Sequence, residues 1–168
     1  MVFTITGAES TGKTTLSEQL ARELNGLYIP EYSREYLSAR NGRYEESDLL
    51  DIARGQTELE RSAMTLEPPC LICDTSMLVL YVWSKYKYGR CEPWIERMLE
   101  ERRCDLYILP HFDIPYEPDP LRENPSDRDV LFRYYQQELS YRQLPHIIVH
   151  GSSAERQKTA LEACLRIM

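Results

Sequence analysis

Lysine is scarce in this chain: of 20 basic residues only Lys13, Lys85, Lys87 and Lys158 are lysines, and the rest are arginine. Long apolar runs are absent, and none approaches the ~18 residues of a membrane span. The first residues, Met1–Gly7, carry neither the basic region nor the cleavage site of a signal peptide, so the sequence reads as a mature cytoplasmic protein. An excess of positive charge is missing too. Against 27 acidic residues the net charge is −7, which argues against broad nucleic-acid binding, because that needs clustered cations to neutralise phosphates. A small anionic ligand, held by a few convergent donors, stays open.

Five cysteines, an odd number, give no disulfide framework in such a chain. Cys70 and Cys73 form a CxxC, but within an apolar run. Positions three apart on a strand point to opposite faces, so the pair is read as core thiols. His111, His146 and His150 lack ligand spacing, and no zinc site is expected. No repeat or low-complexity tract is visible.

What is present is an alternation. At 168 residues the chain suits one domain, 1–168, able to bury roughly two-thirds of its unfolded surface. Strands are expected at 2–6, 27–30, 70–74, 105–109 and 146–150. Helices are expected at 14–25, 47–66, 77–88, 93–103 and 127–143, with a last one opened by a Ser152–Glu155 capping box. Strands separated by helices mean an α/β fold with a mainly parallel five-stranded sheet and helices on both faces.

Gly7-Ala8-Glu9-Ser10-Thr11-Gly12-Lys13-Thr14 fits GxxxxGK[ST] in full, after a strand and opening an amphipathic helix, which is the context of a P-loop. Its glycines let successive N–H groups converge on phosphate oxygens, and the helix adds its positive dipole end. Lys13 is expected to reach the β- and γ-phosphates of ATP. Gly7, Glu9, Ser10, Thr11, Gly12, Thr14 and Thr15 complete the nucleotide site, and Thr14 with Asp74, at the end of the third strand, is expected to serve Mg²⁺.

No Asn precedes a Lys, so the guanine-reading Asn-Lys-x-Asp of a GTPase is missing, and the chain is short for an ATPase motor. A small-molecule kinase remains. Glu31-Tyr32-Ser33-Arg34-Glu35-Tyr36 follows the second strand, and ligands of an open parallel sheet sit beyond the carboxyl ends of its strands. Glu31 can accept the proton of an acceptor hydroxyl there, with Arg34 holding a phosphate or orienting that carboxylate; Glu35 is expected to face solvent. The segment 110–125 carries five of the ten prolines and reads as a mobile lid, extended to 128 by Arg128.

The phosphate loop, the Glu31–Tyr36 segment, Asp74-Thr75 and Asp119-Pro120-Leu121-Arg122-Glu123-Asn124-Pro125 together resemble the NadR-type ribosylnicotinamide kinase family, which is related to AAA-like ATP-binding domains. Pro120 stands where relatives commonly have Gly. Relatives often join this kinase to an adenylyltransferase or a DNA-binding regulator, and neither is expected here. The resemblance implies ATP- and Mg²⁺-dependent phosphorylation of the 5′-hydroxyl of nicotinamide riboside, giving nicotinamide mononucleotide. It places Glu31 and Arg34 on the acceptor side, Asp74 near the metal and Arg122 in the lid, where Arg122 or Arg128 is expected to meet the phosphoryl group. Tyr32, Tyr36, Tyr81, Trp83 and Tyr86 are candidate walls for a pyridinium ring. The expected partner is a small nucleoside, with no nucleic acid and no membrane. A kinase for another nucleoside or nucleotide, or a nucleotide-dependent binding module with weak ATPase activity, is the alternative. The oligomeric state is left open.

Overall fold

A computed structural model describes residues 1–121 and 126–168. Five short strands, β1 (Val2–Ile5), β2 (Leu27–Ile29), β3 (Leu71–Asp74), β4 (Leu106–Pro110) and β5 (His146–Val149), form one sheet in the order β2-β3-β1-β4-β5. Every pairing is parallel, so the sheet is all-parallel rather than mainly so. β1 lies between β3 and β4, with Ile5 opposite both Asp74 and Ile108. That register brings the ends of β1 and β3 to the same edge.

Seven helices connect the strands among the described residues: α1 (Lys13–Glu23), α2 (Tyr32–Ser38), α3 (Asp48–Met64), α4 (Met77–Tyr88), α5 (Pro93–Glu101), α6 (Arg128–Tyr141) and α7 (Ser153–Leu165). Both faces of the sheet are covered, as buried parallel strands require. On β4, Leu106 and Ile108 pack with Phe3, Ile5, Leu16, Leu20 and Ala160 under α1 and α7. Tyr107 and Leu109 point the other way, into a second cluster with Leu49, Ile52, Leu78, Ile95, Leu99 and Phe132. Cys70 and Cys73 fall into different clusters, and burial pushes the Cys73 thiol up to about 12. Among the described residues no helix is long and apolar enough to cross a membrane.

Helix α2 is the element the sequence did not announce. Its seven residues bury only Ser33 and Leu37, too few for a periodic signal. It closes where the Gly42 N–H bonds to the Leu37 carbonyl at 2.8 Å, with Asn41 and Gly42 both at positive φ, the left-handed ending common at helix C-termini.

Candidate active site

The phosphate loop leaves β1 at the centre of the sheet and runs straight into α1. Gly7 has φ +134°, a backbone that side-chain-bearing residues rarely adopt, and a Cβ there would press on the Leu109 side chain at 2.8 Å. Gly12, at φ +79°, starts α1, and no side chain caps that helix or places an acid in its first turn. The N–H groups and positive end of α1 are thus aimed into the loop with nothing anionic supplied locally. Within the loop, the Thr11 hydroxyl donates to the Ala8 carbonyl at 2.9 Å. Lys13 Nζ donates to the same carbonyl at 2.8 Å. Burial holds the Lys13 ammonium below its usual range, opposed by the charges of Glu31, Asp74 and Glu9.

Thr14 and Asp74 meet as the sequence suggested. The Thr14 hydroxyl donates to Asp74 Oδ2 at 2.6 Å, and Tyr28, which the sequence analysis did not single out, donates its hydroxyl to the same oxygen at 3.4 Å. The other oxygen, Oδ1, is buried without a hydrogen-bond partner. Burial, and then the Glu31 charge, raise the Asp74 carboxyl above the usual carboxylate range. A hydroxyl and an orphaned carboxylate oxygen form a hard-oxygen donor set suited to Mg²⁺, which takes one or two protein ligands and fills the rest with water and phosphate. Thr75, a β-branched residue at φ +75°, turns the chain sharply from Asp74 into α4. Such a backbone is rare outside functional sites.

One cavity of about 340 Å³ is lined by residues 7–16 at one end and by Glu31, Ser33, Arg34, Leu37, Trp83 and Tyr86 at the other; Thr14 and Thr75 line it, whereas Asp74 does not. Glu31 accepts from Ser33 Oγ at 2.6 Å and lies 3.6 Å from Arg34 Nε. Arg34 also reaches Asp119 at 3.1 Å. Glu9, Ser10, Thr11 and Thr15 all line the cavity. Two residues expected on the acceptor side do not. Tyr32 and Tyr36 are absent from the lining; four apart on α2, they share a face, and that face packs against α3. Tyr36 donates its hydroxyl to Asp48 at 2.6 Å, and a Cβ on Gly55 would overlap the Tyr32 ring. Tyr81 is likewise off the lining, buried in the core. Of the five candidate aromatic walls, Trp83 and Tyr86 remain.

The described part of 110–128 lies across the phosphate loop. The Glu117 N–H donates to Ser10 Oγ at 2.8 Å, and Ile114, Glu117 and Leu121 line the cavity. Arg128 does not line it; its guanidinium donates to the carbonyls of Ser10 at 3.0 Å and Ile114 at 2.9 Å, tying loop to segment. Arg122 lies outside the described residues. Arg156, missed by the sequence analysis, is 4% exposed and ties three parts together. It donates to the carbonyls of Thr11 at 2.8 Å, Gly151 at 2.8 Å and His111 at 3.0 Å, and pairs with Asp113. Its signal was an arginine in the first turn after the Ser152 capping box, too local to show that it reaches back to residue 11.

Comparison with known proteins places this arrangement. A family model described as an AAA domain, AAA_28, matches residues 2–156. The trifunctional NAD biosynthesis/regulator protein NadR of Escherichia coli (strain K12) is 32% identical over 129 residues, covering 74% of this chain and 32% of that protein. NadR of Salmonella typhimurium (strain LT2) has the same identity and coverage, so the chain spans about a third of the length of these curated relatives. The crystal structure of NadR protein in complex with NR superposes with a TM-score of 0.83 at 23% identity, over 99% of this chain and 51% of that one. NadR in complex with NAD and AMP-PNP gives 0.81 at 23%, over 99% and 49%. Thymidylate kinase from Ehrlichia chaffeensis gives 0.66 at 15%, over 99% and 97%. These likenesses show a P-loop fold. With its phosphate loop at the centre of an all-parallel sheet and the family model running through nearly its whole length, the chain belongs to the AAA_28 family of AAA domains, as a P-loop domain homologous to part of NadR.

Proposed function

We propose that this domain, 1–168 with 110–128 as its lid, is a kinase that moves the γ-phosphoryl group of ATP onto the 5′-hydroxyl of a nucleoside, with nicotinamide riboside the leading acceptor and nicotinamide mononucleotide the product. The observation that carries this reading is the single cavity with the phosphate loop at one end and Glu31, Trp83 and Tyr86 at the other. The relatedness to NadR, solved with NR and with AMP-PNP, supports the choice of acceptor and of ATP.

In this reading the loop N–H groups and Lys13 hold the β- and γ-phosphates, once Lys13 leaves the Ala8 carbonyl. Thr14 and Asp74 would hold Mg²⁺, which when bound neutralises charge developing on the phosphates. Glu31 aligns the acceptor hydroxyl and takes its proton as the oxygen bonds to the γ-phosphorus. The bond from that phosphorus to the β–γ bridging oxygen breaks, and ADP leaves. Arg122, which the resemblance places in the lid, or Arg128 would meet the phosphoryl group. Among the described residues that line the acceptor end, Arg34 is the one cationic side chain, and Glu31 and Asp119 already flank it. An acceptor that brings its own phosphate therefore meets little free positive charge, which favours a nucleoside over a nucleotide. A positively charged base is suited to the Trp83 and Tyr86 rings.

An acceptor panel with Mg-ATP tests the proposal. Nicotinamide riboside should stimulate ADP release, and Glu31→Gln should lower that stimulated rate by about 10²–10⁴-fold while leaving ATP affinity intact. No stimulation across the panel would identify a nucleotide-dependent binding module instead. Equal loss of ATP binding in Glu31→Gln and Asp74→Asn would move Glu31 from the acceptor to the metal.

A further inference from the structure

Glu31 caps α2 in sequence but not in chemistry, since its own side chain makes no capping bond. The Tyr32 N–H, which belongs to the peptide that Glu31 begins, donates instead to Gln56 Oε1 on α3 at 2.9 Å. Gln56 is 2% exposed. Its own amide is fixed in turn, donating to Glu60 Oε1 at 3.0 Å. Glu60 is held by Arg102 at 2.6 Å, and Arg102 also donates to the Cys73 thiol at 3.5 Å. A polar chain, buried at Cys73 and Gln56 and half-buried at Arg102 and Glu60, thus runs from Cys73, next to Asp74, to the peptide bond beside Glu31. One residue before Gln56, Gly55 leaves the space that the Tyr32 ring fills.

We infer that Gly55 and Gln56, backed by Glu60 and Arg102, are positioning residues that set the Glu31 carboxylate for proton transfer. A bond to the Tyr32 N–H fixes the plane of the Glu31–Tyr32 peptide, and with it the ψ of Glu31, 109°. With φ at −71°, the direction of the Glu31 Cα–Cβ bond follows. Because the Gln56 amide is itself bonded, it cannot rotate to offer its NH₂ group to the Tyr32 N–H. Small displacements of a reacting group carry large kinetic penalties, so a buried glutamine that touches no substrate can still govern turnover. The inference rests on the reading of Glu31 as the acceptor-side base.

A double-mutant cycle tests it. Acceptor-stimulated ADP release, counted per ATP-binding site, is measured for Gln56→Leu alone and in a Glu31→Gln background. Gln56→Leu should lower kcat about tenfold, leave ATP affinity unchanged, and cause no further loss once Glu31 is glutamine. Equal losses in both backgrounds would show that Gln56 merely supports the fold, and an unchanged kcat would equally overturn the inference. Should Gln56→Leu fail to fold, Gly55→Ala asks the same question by displacing the Tyr32 ring, with the same outcomes for and against. Failure of the underlying reading looks different: Glu31→Gln alone would then retain wild-type turnover.

Discussion

The two ends of the cavity are made of different material. At the phosphate end the available donors are mostly backbone N–H groups, delivered by eight consecutive residues and one helix terminus. The acceptor end is made of side chains: Glu31 ahead of α2, Ser33, Arg34 and Leu37 on it, and Trp83 and Tyr86 on α4. Backbone donors vary little when side chains change, so the first end is suited to a constant partner. The second can be rebuilt one residue at a time. A fold that keeps its energy donor and changes its acceptor has this division built in.

Breaking the constant end should have the largest effect. Lys13→Ala removes the only cation built into the phosphate loop and is expected to lower acceptor-dependent turnover by about 10³-fold or more, with an unchanged melting profile. Wild-type turnover in that variant would remove the phosphate-site assignment. At the variable end, Trp83→Ala should raise the KM for the acceptor about tenfold while the KM for ATP stays put, which steady-state kinetics with each substrate varied will resolve. A matching rise in both would mean that the ends are not separable.

Arg128 tests the connection between them. It ties Ser10 to Ile114, so Arg128→Ala should loosen the segment over the loop and raise both KM values by roughly threefold to tenfold, consistent with losing about 1 kcal/mol of hydrogen bonding. No change in either would leave 110–121 an inert covering.

The smallest effect concerns stability. The Asp74 carboxyl is raised, by burial first and by Glu31 second. The folded chain therefore keeps this proton at pH values where the unfolded chain has released it. Its contribution to stability is lost as pH rises from the ordinary carboxyl range through the raised folded value. Above that window the ionised, buried Asp74 opposes folding, and Asp74→Asn should raise Tm there by a few degrees while flattening the Mg²⁺ dependence of turnover. A lower Tm in that range would show that the Thr14 and Tyr28 hydroxyls outweigh burial.

The same division governs what could be read from the chain alone. Gly7–Thr14 is legible because its chemistry is contiguous: a glycine spacing, a lysine and a hydroxyl state the geometry without tertiary help. The strands were legible as apolar runs, and β3 ended on Asp74 as anticipated. Tyr32 and Tyr36 were misplaced because α2 was not recognised; without its helical phase, nothing in Glu31–Tyr36 separates the face toward α3 from the face toward the cavity. Gln56 carried no local signal, and that of Arg156, its place just after the Ser152 capping box, said nothing of its distant partner. Their partners lie 24 residues away at Tyr32 and 145 away at Thr11, and only the packed chain brings them together.

The hydrogen bond from Lys13 to the Ala8 carbonyl gives the resting loop an occupant of its own. A ligand that draws Lys13 must displace this internal partner, which lowers its apparent affinity by a constant factor. AMP, with no β- or γ-phosphate to draw the ammonium away, should bind Lys13→Ala and wild type alike, whereas ATP should separate them widely. In the kinase proposed above, this bond would let the loop discriminate phosphoryl donors by the number of phosphates they offer.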